Sequence, residues 1–223
     1  MQKFDTTSPI TAVLDIPAGR VRFIASDRSD TTVEVLPADA SKGRDVQAAA
    51  ETVVEFGDGV LRIAAPAAKH QLLGNSGYVA VTVQLPAGSS VEAKTADAAF
   101  EGVGRLGDVT FEGAQGKVEL DETAGARLTL LAGDVSVGRL SGPARISTQK
   151  GAIHVTEAVT GTVTLSTEHG PITVGVARGV SASLDAGTGY GRIHNSLENT
   201  GGAAAGLNIH ATTSYGDITA RSL

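Results

Sequence analysis

The 223-residue chain has no cysteine, no tryptophan, one methionine and only 4% aromatic residues. Without cysteine there is neither a disulfide framework nor a thiolate metal site, so the fold must rest on buried apolar area, for which the chain is long enough. No run of 18 apolar residues occurs, which leaves no candidate membrane-spanning helix. Residues 1–9 (MQKFDTTSP) lack the apolar segment of a signal peptide, so the expectation is a cytoplasmic protein without leader, transmembrane segment or anchor. A basic excess is also missing: 18 Lys and Arg stand against 24 Asp and Glu, a net charge of -6, and neither nucleic acid nor an anionic membrane is an expected partner. With 41% hydrophobic and 19% charged residues the composition excludes a disordered chain.

What the chain has is glycine, 28 residues of it, and over the last two thirds the glycines keep time. Gly107, Gly116, Gly125, Gly133, Gly142, Gly151, Gly161, Gly170 and Gly179 are 8 to 10 residues apart, and alternating segments rich in Val, Ile, Leu and Thr lie between them. That is the pattern of short strands bounded by glycine turns. Every second glycine is a pivot: Gly116, Gly133, Gly151, Gly170, Gly191 and Gly216 mark coils of 17 to 19 residues that lengthen to 21 and 25.

Aligned on these pivots, the coils repeat residue type. Val118, Val135, Ile153, Ile172, Ile193 and Ile218 form one column two residues past the pivot, which must face a core. Phe111, Leu128, Ile146, Leu165, Ala186 and Ala211 form a second column, five residues before it. Thr148, Thr167, Thr188 and Thr213 stand three before the last four pivots, placed to hydrogen-bond at a corner. Repetition in register favours a right-handed single-stranded β-solenoid with coils of about 18 residues, each strand about 4.8 Å from its equivalent in the next coil. An antiparallel β-sandwich is the alternative, because strands at this spacing also describe a sandwich.

The first 90 residues carry strands at 13–16, 20–25, 31–36, 52–56, 60–64 and 78–85 without the ruler, and one weak helix at 41–51. This part is expected to be an irregular β cap or extension of the solenoid at 91–223, within one continuous domain. The segment SLENTGGAAAG at 196–206 reads as a loop inserted between coils.

Pro17-Ala18-Gly19 and Pro86-Ala87-Gly88 end two strands alike, half-repeats such as Gly133-Asp134-Val135 and Gly151-Ala152-Ile153 recur, and the chain closes on Ser214-Tyr215-Gly216-Asp217-Ile218-Thr219-Ala220-Arg221. These features resemble the bacterial putative-adhesin family of β-strand-repeat domains of unknown function, in its leaderless actinobacterial form. That family is similar to the β-helical head domains of putative autotransporter adhesins. The resemblance implies a fold and supplies no catalytic residue.

Chemistry-bearing residues are sparse. Gly102-Val103-Gly104-Arg105-Leu106-Gly107 matches G-x-G-x-x-G, but the strand-like Asp108-Val109-Thr110-Phe111 follows where a dinucleotide site needs a helix, so no cofactor is expected. His154 and His194 share a column with Thr173 between them, about 10 Å apart across two strand spacings, too far for one metal. Asp185 and His210 share another, with Arg145 two coils back, the best acid-base set the chain offers and the basis of a carbohydrate-binding or polysaccharide-cleaving alternative. Glu122, Arg139 and Glu157 form an alternating charge ladder that serves coil register. One residue before the pivots stand Lys150, His169, Tyr190 and Tyr215, either a cover for the solenoid corner or a recognition stripe. The loop Lys69-His70-Gln71-Leu72-Leu73-Gly74 is either folded back or a partner contact. The leading expectation is a non-enzymatic scaffold for a protein partner or for self-association into a homo-oligomer.

Overall fold

The computed structural model of the protein describes residues 1–65, 77–202 and 205–223. Apart from α1 (Gly43–Glu51), these residues build an all-β molecule. The repeats stack in parallel as two ladders of strands, joined at corners. One ladder runs from 11–16 of β2 (Thr11–Ser26) through β7 (Ser90–Gln115), β8 (Val118–Ala132), β10 (Ala144–Lys150) and β12 (Gly161–His169). The other runs from 18–25 of β2 through β7, β8, β9 (Val135–Leu140), β11 (Ile153–Ala158) and β13 (Ile172–Val176). From β7 onwards every pairing between strands is parallel, so the repeats do not form an antiparallel sandwich.

The two apolar columns face each other across the core. Val118, Val135, Ile153 and Ile172 are side by side in register, opposite Phe111, Leu128, Ile146 and Leu165, and all eight are buried. Phe23, Phe100 and Phe111 pack on one another in the core of the early levels, with ring centroids 5.7 and 5.1 Å apart along the series. Three of the five phenylalanines thus lie in one run of contacts within the core.

The order of levels departs from the order of the sequence. β14 (Ala182–Tyr190) and β15 (Ile193–Ser196) do not follow β12 and β13 in space; β16 (Leu207–Tyr215) and β17 (Ile218–Ser222) lie between them. The stacked order is therefore Ile172, Ile218, Ile193 and Leu165, Ala211, Ala186. Loop length explains how. β9 joins β10 through three residues and β11 joins β12 through two, whereas five separate β13 from β14 and ten separate β15 from β16. The five-residue connection skips a level, crossing about 10 Å or two strand spacings, and the ten-residue one turns back by one level.

The first 65 residues and 77–86 continue and close the stack at the other end. β5 (Val60–Ala64) and β6 (Val79–Pro86) add a level beside β2 in parallel. Antiparallel strands then cover it: β4 (Val53–Gly57) lies on β5, β3 (Asp30–Pro37) on β6, and β1 (Gln2–Asp5) on β3. Phe4 and Phe56 meet across the end at 5.2 Å, and the Thr6 and Thr31 hydroxyls bond each other at 2.8 Å in the buried interior. α1 packs on β3 and β6, where the buried Asp45 carboxylate accepts the Tyr78 backbone N–H at 3.0 Å.

Candidate interaction surface

The corner at the pivots is built from glycine and threonine. Gly133, Gly151 and Gly170 have φ near +150°, and a Cβ on any of them would lie within about 2 Å of the carbonyl oxygen of the adjacent pivot. Glycine is the one residue that allows this approach. The pivot carbonyls find donors in the threonine column: the Thr167, Thr213 and Thr188 hydroxyls donate to Gly151, Gly170 and Gly216 oxygens at 3.1, 3.0 and 2.9 Å. Each bond links neighbours in space, and Thr213 rather than Thr188 reaches Gly170.

This corner forces the residue before each pivot outward at a fixed 4.8 Å repeat. The observed order is Lys150, His169, Tyr215, Tyr190. The His169 and Tyr215 rings stack at 5.0 Å and 10°, and the Tyr215 and Tyr190 rings at 4.9 Å and 5°. Tyr190 is 71% exposed and Tyr215 50%, so the stripe is a surface feature; the sequence order of the two tyrosines is reversed in space. Past the pivot, Asp217 accepts the Arg192 backbone N–H at 2.8 Å, and that bond, aided by the nearby guanidinium, holds its carboxyl below the usual carboxylate range.

The acid-base candidates are not gathered. His210 Nδ1 is 3.3 Å from Asp185 Oδ2, on adjacent levels as expected, but the Asp185 carboxylate is 83% exposed. Arg145 lies three levels from Asp185 and two from His210, because the exchanged order inserts one more level than the sequence implied. The shallow groove of about 430 Å³ on this ladder is lined by Arg127, Arg145, Thr110 and Thr164, and includes neither Asp185 nor His210. The same exchange puts His154 and His194 three spacings apart, about 14 Å rather than 10. Among the described residues no group of three His, Asp or Glu side chains is placed to hold a metal. Nor is any helix long and apolar enough to cross a membrane.

Residues 102–107 lie inside β7, with no helix to receive a pyrophosphate. Glu122, Arg139 and Glu157 are in register, Arg139 bonded to Glu157, and Arg105 extends the ladder. His70 and its loop 69–74 lie outside the described residues. The exchange of levels went unread in the sequence; its signal was the pair of long connections.

The family described as Toastrack DUF4097 matches residues 13–222. The chain belongs to the Toastrack family. Toastrack DUF4097 is a domain of unknown function, and its name suits the stacked levels seen here. A solved putative adhesin from Bacteroides fragilis shares 14% identity over 98% of this chain and 95% of its own, with a TM-score of 0.58. One from Parabacteroides distasonis shares 16% over the same proportions, with a TM-score of 0.53. At such identities the likeness is one of fold, and it extends across the whole Toastrack chain. No curated protein matches it.

Proposed function

We propose that the protein is a non-enzymatic protein-protein interaction scaffold whose contact line is the corner stripe Lys150, His169, Tyr215 and Tyr190. The carrying observation is the stack of exposed rings, since tyrosine offers large contact area at low conformational cost and stacking has already fixed these side chains. The naming of structural relatives as putative adhesins is compatible with such a role. The reading takes the chain as one continuous domain, wound right-handed with coils of about 18 residues and working in the cytoplasm.

A photo-crosslinking residue in place of Tyr190, compared with one in place of Thr129 on the flat outer face, tests the stripe in cells. Discrete protein adducts specific to position 190 are expected. Equal or absent adducts at position 190 would overturn the stripe. The carbohydrate alternative is favoured by one contact, Asp185 with His210. Glycan binding or reducing-end release that disappears in Asp185→Asn would establish it in place of the scaffold.

A further inference from the structure

The outer face of the ladder through β8, β10 and β12 carries the shallow groove of about 430 Å³, which the corner stripe does not use. Its recess is made by Gly125, over which the Asp108 carboxylate sits: a Cβ at 125 would fall 2.7 Å from Asp108 Oδ1. Beside it runs a column of outward side chains, Thr110, Arg127, Arg145 and Thr164, on four successive levels. Arg127 and Arg145 are directly opposed, about 4.8 Å apart along the stack. Like charges so placed destabilise a pairing. Elsewhere the stack avoids this: Arg22 meets Glu101, Arg105 meets Glu122, and Arg139 lies between Glu122 and Glu157. Among the described residues no other two arginines are opposed in register, and none of Arg127, Arg145 and Asp108 is in an ion pair. A local conflict that the fold resolves elsewhere and keeps at a groove points to a ligand.

We propose that this groove binds an acidic sugar, its carboxylate held by Arg127 and Arg145 and its hydroxyls by Asp108, Thr110 and Thr164. The guanidinium fork matches a carboxylate in two parallel hydrogen bonds. An ionised Asp108 can only accept, so it calls for a donor such as a sugar hydroxyl, while the threonine hydroxyls both donate and accept. Charge selects among anions. Two guanidiniums and one carboxylate leave a surplus of one positive charge, which a monocarboxylate balances, whereas a phosphate dianion would set its second charge against Asp108. An acidic peptide strand fits less well, because its same-side residues repeat at about 7 Å against about 4.8 Å for the levels. The volume falls within the range of small-ligand sites, about 300 to 1,000 Å³. Neither Asp185 nor His210 lines the groove, so the site stands apart from the stripe and from that contact.

Titration of the full chain with glucuronate, followed by amide chemical shifts at pH 8 and low salt, tests this, with glucose as the neutral ring and inorganic phosphate as the bare dianion. Saturable shifts at 108–110, 125–127 and 144–145 are expected with glucuronate, weaker ones with phosphate and none with glucose. Arg127→Gln and Arg145→Gln should each weaken glucuronate binding about tenfold. Asp108→Ala should weaken glucuronate several-fold while strengthening phosphate, a split that a site selecting charge alone does not produce. Asp185→Asn should change nothing. Circular dichroism checks that the variants, all at exposed positions, stay folded, and Arg145→Gln, freed of the repulsion, should melt no lower than wild type. No saturable binding of glucuronate, phosphate bound as well or better, Asp108→Ala strengthening both anions, or loss of binding in Asp185→Asn would overturn the proposal. The scaffold reading falls separately, through loss of the position-190 adducts to other proteins.

Discussion

The two ends of the stack solve the same problem differently. A column of parallel strands must stop somewhere, and its last level exposes half its backbone hydrogen-bonding groups and the end of the core. At the β5–β6 end the chain turns antiparallel strands and a helix over the last level, and Leu61, Ile63, Val81 and Val83 are as buried as any residue of the middle. At the β14–β15 end no further strand is laid on the level. The segment after β15 meets its start, where Ala182 N–H donates to the Glu198 oxygen at 3.1 Å, and the core residues shrink: Leu165, Ala211 and Ala186 in one column, Val174, Ala220 and Asn195 in the other. One end is closed by strands and a helix, and the other only in part.

The difference predicts that identical substitutions have unequal effects along one column. The largest effect belongs to the glycine corner. Gly151→Ala places a methyl about 2 Å from the Gly133 oxygen and demands a φ that alanine resists, with neighbours on both sides fixing the backbone. We expect a loss of about 4 kcal/mol or more, enough to unfold a marginal domain. Gly187→Ala, where nothing lies within 4 Å, should cost less than about 1 kcal/mol. Urea unfolding measures both, and equal effects would mean that the outer level is as constrained as the middle.

Next come the isoleucines. Ile172→Ala deletes a fully buried side chain between two strands and should cost about 2 to 5 kcal/mol. Ile193→Ala, with 44% of the residue in water, should cost about 1 kcal/mol. If the second cost rises towards the first as protein concentration increases, the bare end is being buried by association.

A smaller effect is expected from the corner threonines. Thr167→Val keeps shape but leaves the Gly151 oxygen without its side-chain donor, a change of about 1 to 2 kcal/mol. Thr188→Val leaves Gly216 similarly placed but at an end where solvent can replace the hydroxyl, so its cost should be smaller still. Thermal midpoints of the two variants compare them directly.

The columns themselves were legible in the sequence because alternation and glycine spacing write them out one residue at a time. Which coil neighbours which was not legible, for a physical reason. Ile172, Ile193 and Ile218 satisfy the same inward position equally well, so residue type carries no information on stacking order. That information lay in loop length, where 177–181 skips a level and 197–206 turns back by one, and in Asn195, a polar residue in an apolar column that only an outermost level tolerates. The stripe was readable as a set and misread in order for the same cause. The distance from Arg145 to Asp185 was misjudged by one level, and with it the acid-base set.

The finest test concerns the finished end. Asp30 on β3 accepts hydrogen bonds from Arg28 at 2.8 Å and from Lys3 of β1 at 3.0 Å, and these lower its carboxyl to about 2. A group whose folded value lies below the unfolded value of 3.8 stabilises the fold fully above about pH 4, and that contribution disappears as pH falls through 2. Exposure of the carboxylate to water keeps the effect local. Hydrogen exchange of the β1 and β3 amides should therefore be slower in wild type than in Asp30→Asn at pH 6, and the two should converge by pH 2. The amides of β15, at the bare end, should show no such dependence on Asp30. If they do, the cap and the open edge are coupled through the stack, and the two ends are not the independent solutions that their geometry describes.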